Sequence, residues 1–160
     1  MMKRSFACAS LMAVFLASTV AMPAHTDSGA GKGRVIYIPV ARKLMKLPNG
    51  KTVDRNHLKG IILADDTNVS FPLAAQDCRG TTVISADGAD VVLKGYCDAM
   101  DRDGDVWWRW YAGTAQGTTW GYIGGMRKHE GITGGGTTKT EQPAPDGRFV
   151  IHWEESWETP

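Results

Sequence analysis

From Cys78 onward the chain alternates short apolar-rich runs with polar, glycine-marked breaks. The runs are 78–85, 90–99, 105–112, 118–124, 135–142 and 148–157. Between them stand Asp87-Gly88, Asp103-Gly104, Gly113 to Gly117, a Gly-rich stretch, and Pro143 to Gly147. Runs of this length and spacing, separated by turn-forming residues, predict antiparallel strands of a sandwich or barrel. The last run alternates: Phe149, Ile151, Trp153 and Trp157 fall on one face, and Val150, His152, Glu154 and Ser156 on the other. No segment carries a sustained helical period; 74–77 is too short and 126–130 is isolated. The pattern is all-β.

Upstream the pattern is looser. Val35 to Val40 is a strand candidate that Pro39 confines to an edge or a bulge. Leu44 to Leu47 extends it, and Pro48-Asn49-Gly50-Lys51 is a turn by composition. Leu58 to Leu63 follows, then a polar break at Asp65 to Asn68. Val69 to Leu73 reads as a short strand, weakened by Pro72.

The cysteines sharpen the hairpin at the centre. Folding 78–97 about Asp87-Gly88 sets Ile84 opposite Val91, Thr82 opposite Leu93 and Cys78 opposite Cys97. Asp-Gly between apolar runs favours a two-residue type I′ turn, so the fold predicts a cross-strand disulfide. In that strict turn 78/97 is a hydrogen-bonded pair with Cα atoms about 5.5 Å apart, unless a bulge at Gly80 or Gly95 resets it. A metal site for the two cysteines lacks further ligands at regular spacing.

The N-terminus supplies the matching compartment. Lys3 and Arg4, the apolar stretch Phe6 to Val20, and small residues before Ala21 and Ala24 read as a signal peptide over 1–24. The stretch is shorter than the roughly 20 residues that span a bilayer, and no later segment is apolar enough to do so. Cleavage removes Cys8 and leaves an even cysteine pair in a secreted or periplasmic protein. Residues 25–34 are polar and Gly-rich and read as a flexible lead, which leaves 35–160 as a single domain. Charge is balanced, with 18 basic and 17 acidic residues. Without a basic stripe, nucleic acid is not an expected partner. Arg42, Lys43 and Lys46 form a small basic cluster that reads as a solvated face.

Three stretches carry a resemblance. Gly95 to Asp105 (GYCDAMDRDGD), Gly117 to Gly121 (GTTWG) and Gly124 to Gly136 (GGMRKHEGITGGG) are similar to secreted bacterial proteins with an allene oxide cyclase-like barrel. The likeness covers roughly 78–157. Arg127 departs from it, standing where glycine is usual. The resemblance implies a small calycin-like, up-and-down antiparallel barrel of about eight strands with no assigned activity. The plant cyclases of this fold isomerise a fatty-acid epoxide, and none of their catalytic residues aligns to a position here.

Candidate chemistry is sparse. Asp101-Arg-Asp103-Gly-Asp105 has the acidic spacing of a calcium loop, but an EF-hand register puts Val106 and Ala112 where Gly and Glu are needed. The motif reads instead as a hairpin turn about Asp103-Gly104, with Arg102 opposite Asp105. Val106 to Tyr111 (VWWRWY) is the densest aromatic run, with Trp108 and Trp110 on one face and Trp107, Arg109 and Tyr111 on the other. Trp108, Trp110, Tyr122 and Trp153, with Arg109 if it points inward, are the candidate lining of a site for a small apolar or amphipathic ligand. A filled barrel explains the same rings as packing. His129-Glu130, and His152 with Glu154, are candidate acid/base pairs that exposed polar positions explain as well. No nucleophile elbow, metal-ligand spacing or phosphate loop is present, so no cofactor is expected. Three functions stay open: a non-catalytic ligand-binding barrel, a cyclase or isomerase on it, and a solid barrel serving as an interaction module.

Overall fold

The computed structural model describes residues 27–65, 69, 71–141 and 143–160. The expected signal peptide at 1–24 lies outside the described residues. Eight strands follow one another: β1 (Asp27–Lys46), β2 (Thr52–Ala64), β3 (Leu73–Ile84), β4 (Val91–Asp101), β5 (Val106–Thr114), β6 (Gly117–Gly125), β7 (Thr133–Thr140) and β8 (Phe149–Thr159). Each pairs antiparallel with its sequence neighbour, and β8 returns to β1, so the meander closes into a barrel. Closure removes the free edges that an open sheet would expose. One 3-10 turn, Arg127–His129, sits between β6 and β7. No helix among the described residues is long and apolar enough to cross a membrane.

The central hairpin keeps the expected register, with Ile84↔Val91, Thr82↔Leu93 and Cys78↔Cys97, and the disulfide is formed. Its turn differs. Gly88 has φ +75°, but Asp87 does not share the left-handed region that type I′ requires. The Gly88 N–H donates to the Ser85 carbonyl and the Ser85 N–H to the Asp90 carbonyl. The closing pair is therefore 85/90 rather than 86/89. That exchanges the two kinds of pair along the ladder and makes 78/97 the close, non-hydrogen-bonded kind, with Cα atoms 4.1 Å apart. Gly80 and Gly95 do not bulge. They face each other and leave a slot for the Tyr111 hydroxyl, which stands where their side chains would be.

The β4–β5 turn also differs, by one residue. Asp101 Oδ1 accepts the N–H groups of Asp103 and Asp105, and the Asp101 N–H donates to the Asp105 carbonyl. Asp101, not Arg102, thus stands opposite Asp105 across a three-residue loop that ends in Gly104 at φ +81°. Because side chains alternate with period two, this shift exchanges the faces of β5 relative to β4. Pro39 marks a bulge between Pro39 and Ala41, as expected.

The Gly-rich stretch read as a flexible lead is strand from Asp27 onward, paired to β8. Gly29, Gly31 and Gly33 alternate on the inner face, where Trp157, Val69 and Trp153 fill the space a side chain would take. Val69, Phe71 and Pro72, expected in a short strand over Val69 to Leu73, lie outside any strand. Val69 and Phe71 turn under the barrel and plug one end, with Phe71 stacked on Trp107 at 4.6 Å and tilted against Trp153 at 5.9 Å. His129 packs edge-on to Trp107 at 4.6 Å, and Ile132 completes this end. Burial of large aromatic groups here supplies much of the driving force, about 2–3 kcal/mol per fully buried side chain.

Candidate functional site

The other end carries the turns at 47–51 and 85–90 and the β7–β8 connection, and none of the described residues plugs it. A cavity of about 220 Å³ runs down from it between Val35, Tyr37, Leu58, Leu93, Phe149 and Ile151. The disulfide forms part of its wall, and Thr82, Thr118, Thr138 and Thr140 give it a hydroxyl-bearing lip. Thr118 and Thr138 hydrogen-bond to each other across β6 and β7. Phe149 stacks on Tyr37 at 5.0 Å, which fixes both rings against one wall.

The floor is polar. Arg109 on β5 faces inward opposite Cys97 and is 8% exposed. Its Nη2 donates to Gln76 Oε1, and its guanidinium lies 4.8 Å from the centre of the Trp120 ring. Gln76 Nε2 in turn donates to the Tyr37 hydroxyl at 2.6 Å. Arg109 Nε is buried without a hydrogen-bond partner. Gly60 leaves the space that lets Gln76 and Tyr37 meet beside β2. Burial holds the Tyr37 phenol above its ordinary pKa, outweighing Arg109 and the Gln76 bond, and pushes Tyr111 up to about 12. Both stay protonated donors at neutral pH.

Beneath this layer Glu155 on β8 accepts the Tyr122 hydroxyl proton at 2.8 Å. Burial pushes its carboxyl up to about 6, against the pull of Tyr122 and Arg109. Glu155 was not a sequence candidate, although the β8 alternation that places Trp153 and Trp157 inside places residue 155 inside too. Gln76 and Tyr37 were missed for a related reason: their inward parity depends on pairings that are remote in sequence.

The structure separates the candidate residues. Arg109 and Trp153 line the cavity. Tyr122 is buried just below, beside Trp120. Trp108 and Trp110 lie on the opposite face of β5. Trp110 touches the cavity boundary, but its indole crosses Gly121 on the outer surface and is 39% exposed beside Tyr96. The one-residue change at the Asp101–Asp105 turn is the cause, since folding about Asp103-Gly104 would set Trp110, not Arg109, opposite Cys97. His152 and Glu154 are exposed, with His152 bonded to Glu141 at 2.5 Å. His129 is not an exposed loop residue. It is 1% exposed and 3.2 Å from Asp101 Oδ2, and burial lowers its pKa despite that carboxylate. Asp101 also contacts Lys128 Nζ at 2.6 Å; burial raises its pKa, but Lys128 and the other donors overcome that and bring it to about 2. The acidic turn is thus a tied hairpin. No group of three or more metal-ligating side chains gathers among the described residues.

A solved structure, that of the pterocarpan synthase dirigent protein, superposes with a TM-score of 0.50 over 84% of this chain and 86% of its own, at 11% identity. The chain shares the barrel fold of that protein. At that identity the likeness concerns the barrel alone. Neither a protein-family model nor a curated protein matches the chain's sequence.

Proposed function

We propose that this barrel binds a small apolar or amphipathic molecule in its unplugged end, as a secreted or periplasmic protein. The observation that carries the reading is the 220 Å³ cavity with aromatic and aliphatic walls over a polar floor centred on Arg109. A closed barrel with no ligand role has no need to leave this end unfilled while packing the other with Phe71, Trp107 and Trp153. The disulfide supports an oxidising compartment. The resemblance to secreted allene oxide cyclase-like barrels supports the same reading.

Native mass spectrometry of the mature protein isolated from its own secretory compartment tests it. An adduct that survives gentle ionisation and is lost on denaturation is the expected result. A bare mass, with no thermal shift from a panel of small aromatic and aliphatic compounds, would overturn the reading.

A second reading, a cyclase or isomerase on the same barrel, draws support from Glu155 and Arg109. A carboxyl near pKa 6 beside a phenol and a guanidinium is suited to move protons at neutral pH. Glu155 is buried and lies outside the cavity lining, however. Binding without turnover is the simpler use of the site.

A further inference from the structure

The buried charges of the barrel are unequally matched. Asp54 holds Arg42 at 2.7 Å at the mouth. Asp101 and Asp105, at the plugged end, share Lys128, and Asp105 also meets Arg127 at 3.3 Å. Glu155 has the Tyr122 hydroxyl and feels the Arg109 charge without an ion-pair contact. Arg109 is different: it is a buried cation whose partners are a neutral amide oxygen and an indole face, and among the described residues it makes no ion pair. Its Nε is orphaned. A buried guanidinium with no carboxylate in hydrogen-bonding contact is costly, and an anion that arrives with matching geometry offsets that cost. Arg109 lines the cavity, so an anion can reach it there.

We infer that the ligand is a small organic carboxylate whose carboxyl group seats on Arg109 while its apolar body fills the space between Tyr37, Phe149, Ile151 and Leu93. This inference rests on the ligand-binding reading above and narrows it. One cation on the floor suits a monoanion, whereas a dianionic phosphate would need a second positive group that the cavity lacks. The guanidinium fork matches a planar carboxylate, and the protonated Tyr37 hydroxyl stands beside it as a further donor. Volume sets the size. The cavity exceeds the roughly 150 Å³ apolar hole that holds benzene, and falls below the roughly 300 Å³ at which sites for drug-sized ligands begin. An acid with one aromatic ring, or a short aliphatic acid, fits.

The test compares two probes of nearly one shape, cinnamate and cinnamyl alcohol, by calorimetric titration of the intact, disulfide-bonded protein at neutral pH. The acid is expected to bind at least about tenfold more tightly, the scale of a charge-assisted bond in a water-poor site. Arg109→Gln should remove that preference, so that acid and alcohol bind with similar affinity. Arg109→Lys should keep part of the preference, because it retains charge but loses the fork. Equal binding of acid and alcohol by the unmodified protein overturns the carboxylate inference and leaves the cavity reading standing. Binding of neither probe overturns both. If Arg109→Gln fails to fold, the comparison in the unmodified protein still decides.

Discussion

The two ends of this barrel use the same strands to opposite effect. At the plugged end, glycines on β1 give up their side-chain space so that Trp153 and Trp157 from β8 can cross the interior, and Val69 and Phe71 close what remains. At the open end the inward positions carry Leu, Thr, Phe and Ile, and none of the described loop residues folds beneath them. Interior volume in a small barrel is therefore not fixed by strand number. It is set by which positions are glycine and by whether a connection turns inward. The polar layer of Arg109, Gln76, Tyr37, Tyr122 and Glu155 lies where the two regimes meet.

The largest effect should come from breaking the packed end. Trp107 is fully buried between Phe71 and His129, so Trp107→Ala should cost about 3–5 kcal/mol. Leu93→Ala, at the cavity wall, should cost only about 1 kcal/mol, because Leu93 already borders empty space on one side. Urea midpoints at constant slope measure both. Equal costs would mean that the open end is packed as tightly as the plugged one, and the contrast between them would be lost.

The middle layer responds to pH. The folded pKa of Glu155, about 6, lies above its ordinary 4.5, so the folded state holds the proton more tightly than the unfolded chain does. Its contribution is full below pH 4.5 and is lost as pH rises through 6, a change of about 2 kcal/mol. Glu155→Gln keeps an acceptor for Tyr122 and should therefore raise stability at pH 7.5 by up to about 2 kcal/mol. It should also flatten the fall between pH 4.5 and 6. Chemical denaturation at several pH values reads this directly; an unchanged slope in the variant would show that Glu155 is not the titrating group.

Several of these features could be read before the structure, and the ones that could not share a cause. The register of the Cys78–Cys97 hairpin is local, held within one loop, and the cysteines and Asp87-Gly88 agree on it. The barrel closure that makes Gly29, Gly31 and Gly33 a strand depends on β8, more than a hundred residues away. Composition alone, without that partner, describes a linker. The inward face of β5 depends on a single residue of turn length at 101–105. Aromatic density marks Val106 to Tyr111 as important but cannot say whether Arg109 or Trp110 faces the disulfide. Glu155 is legible in the alternation of β8, which seats it inward between Trp153 and Trp157.

The smallest effect lies in the turn that helps close the plugged end. Arg127 is the sole non-glycine residue with a left-handed backbone among those described, at φ +57°. That is the backbone region that favours glycine. A β-carbon there costs about 1–2 kcal/mol relative to glycine, and the Arg127–Asp105 pair, exposed on the arginine side, returns at most about 1 kcal/mol. Arg127→Ala removes the ion pair and keeps the β-carbon, while Arg127→Gly removes both. The glycine variant should be more stable than the alanine variant by about 1 kcal/mol at every salt concentration, since the difference is one of backbone. The gap between arginine and alanine should instead shrink as salt screens the Asp105 contact. An alanine variant as stable as the glycine one would mean that the turn relaxes away from φ +57° without cost, leaving the ion pair as the reason for arginine.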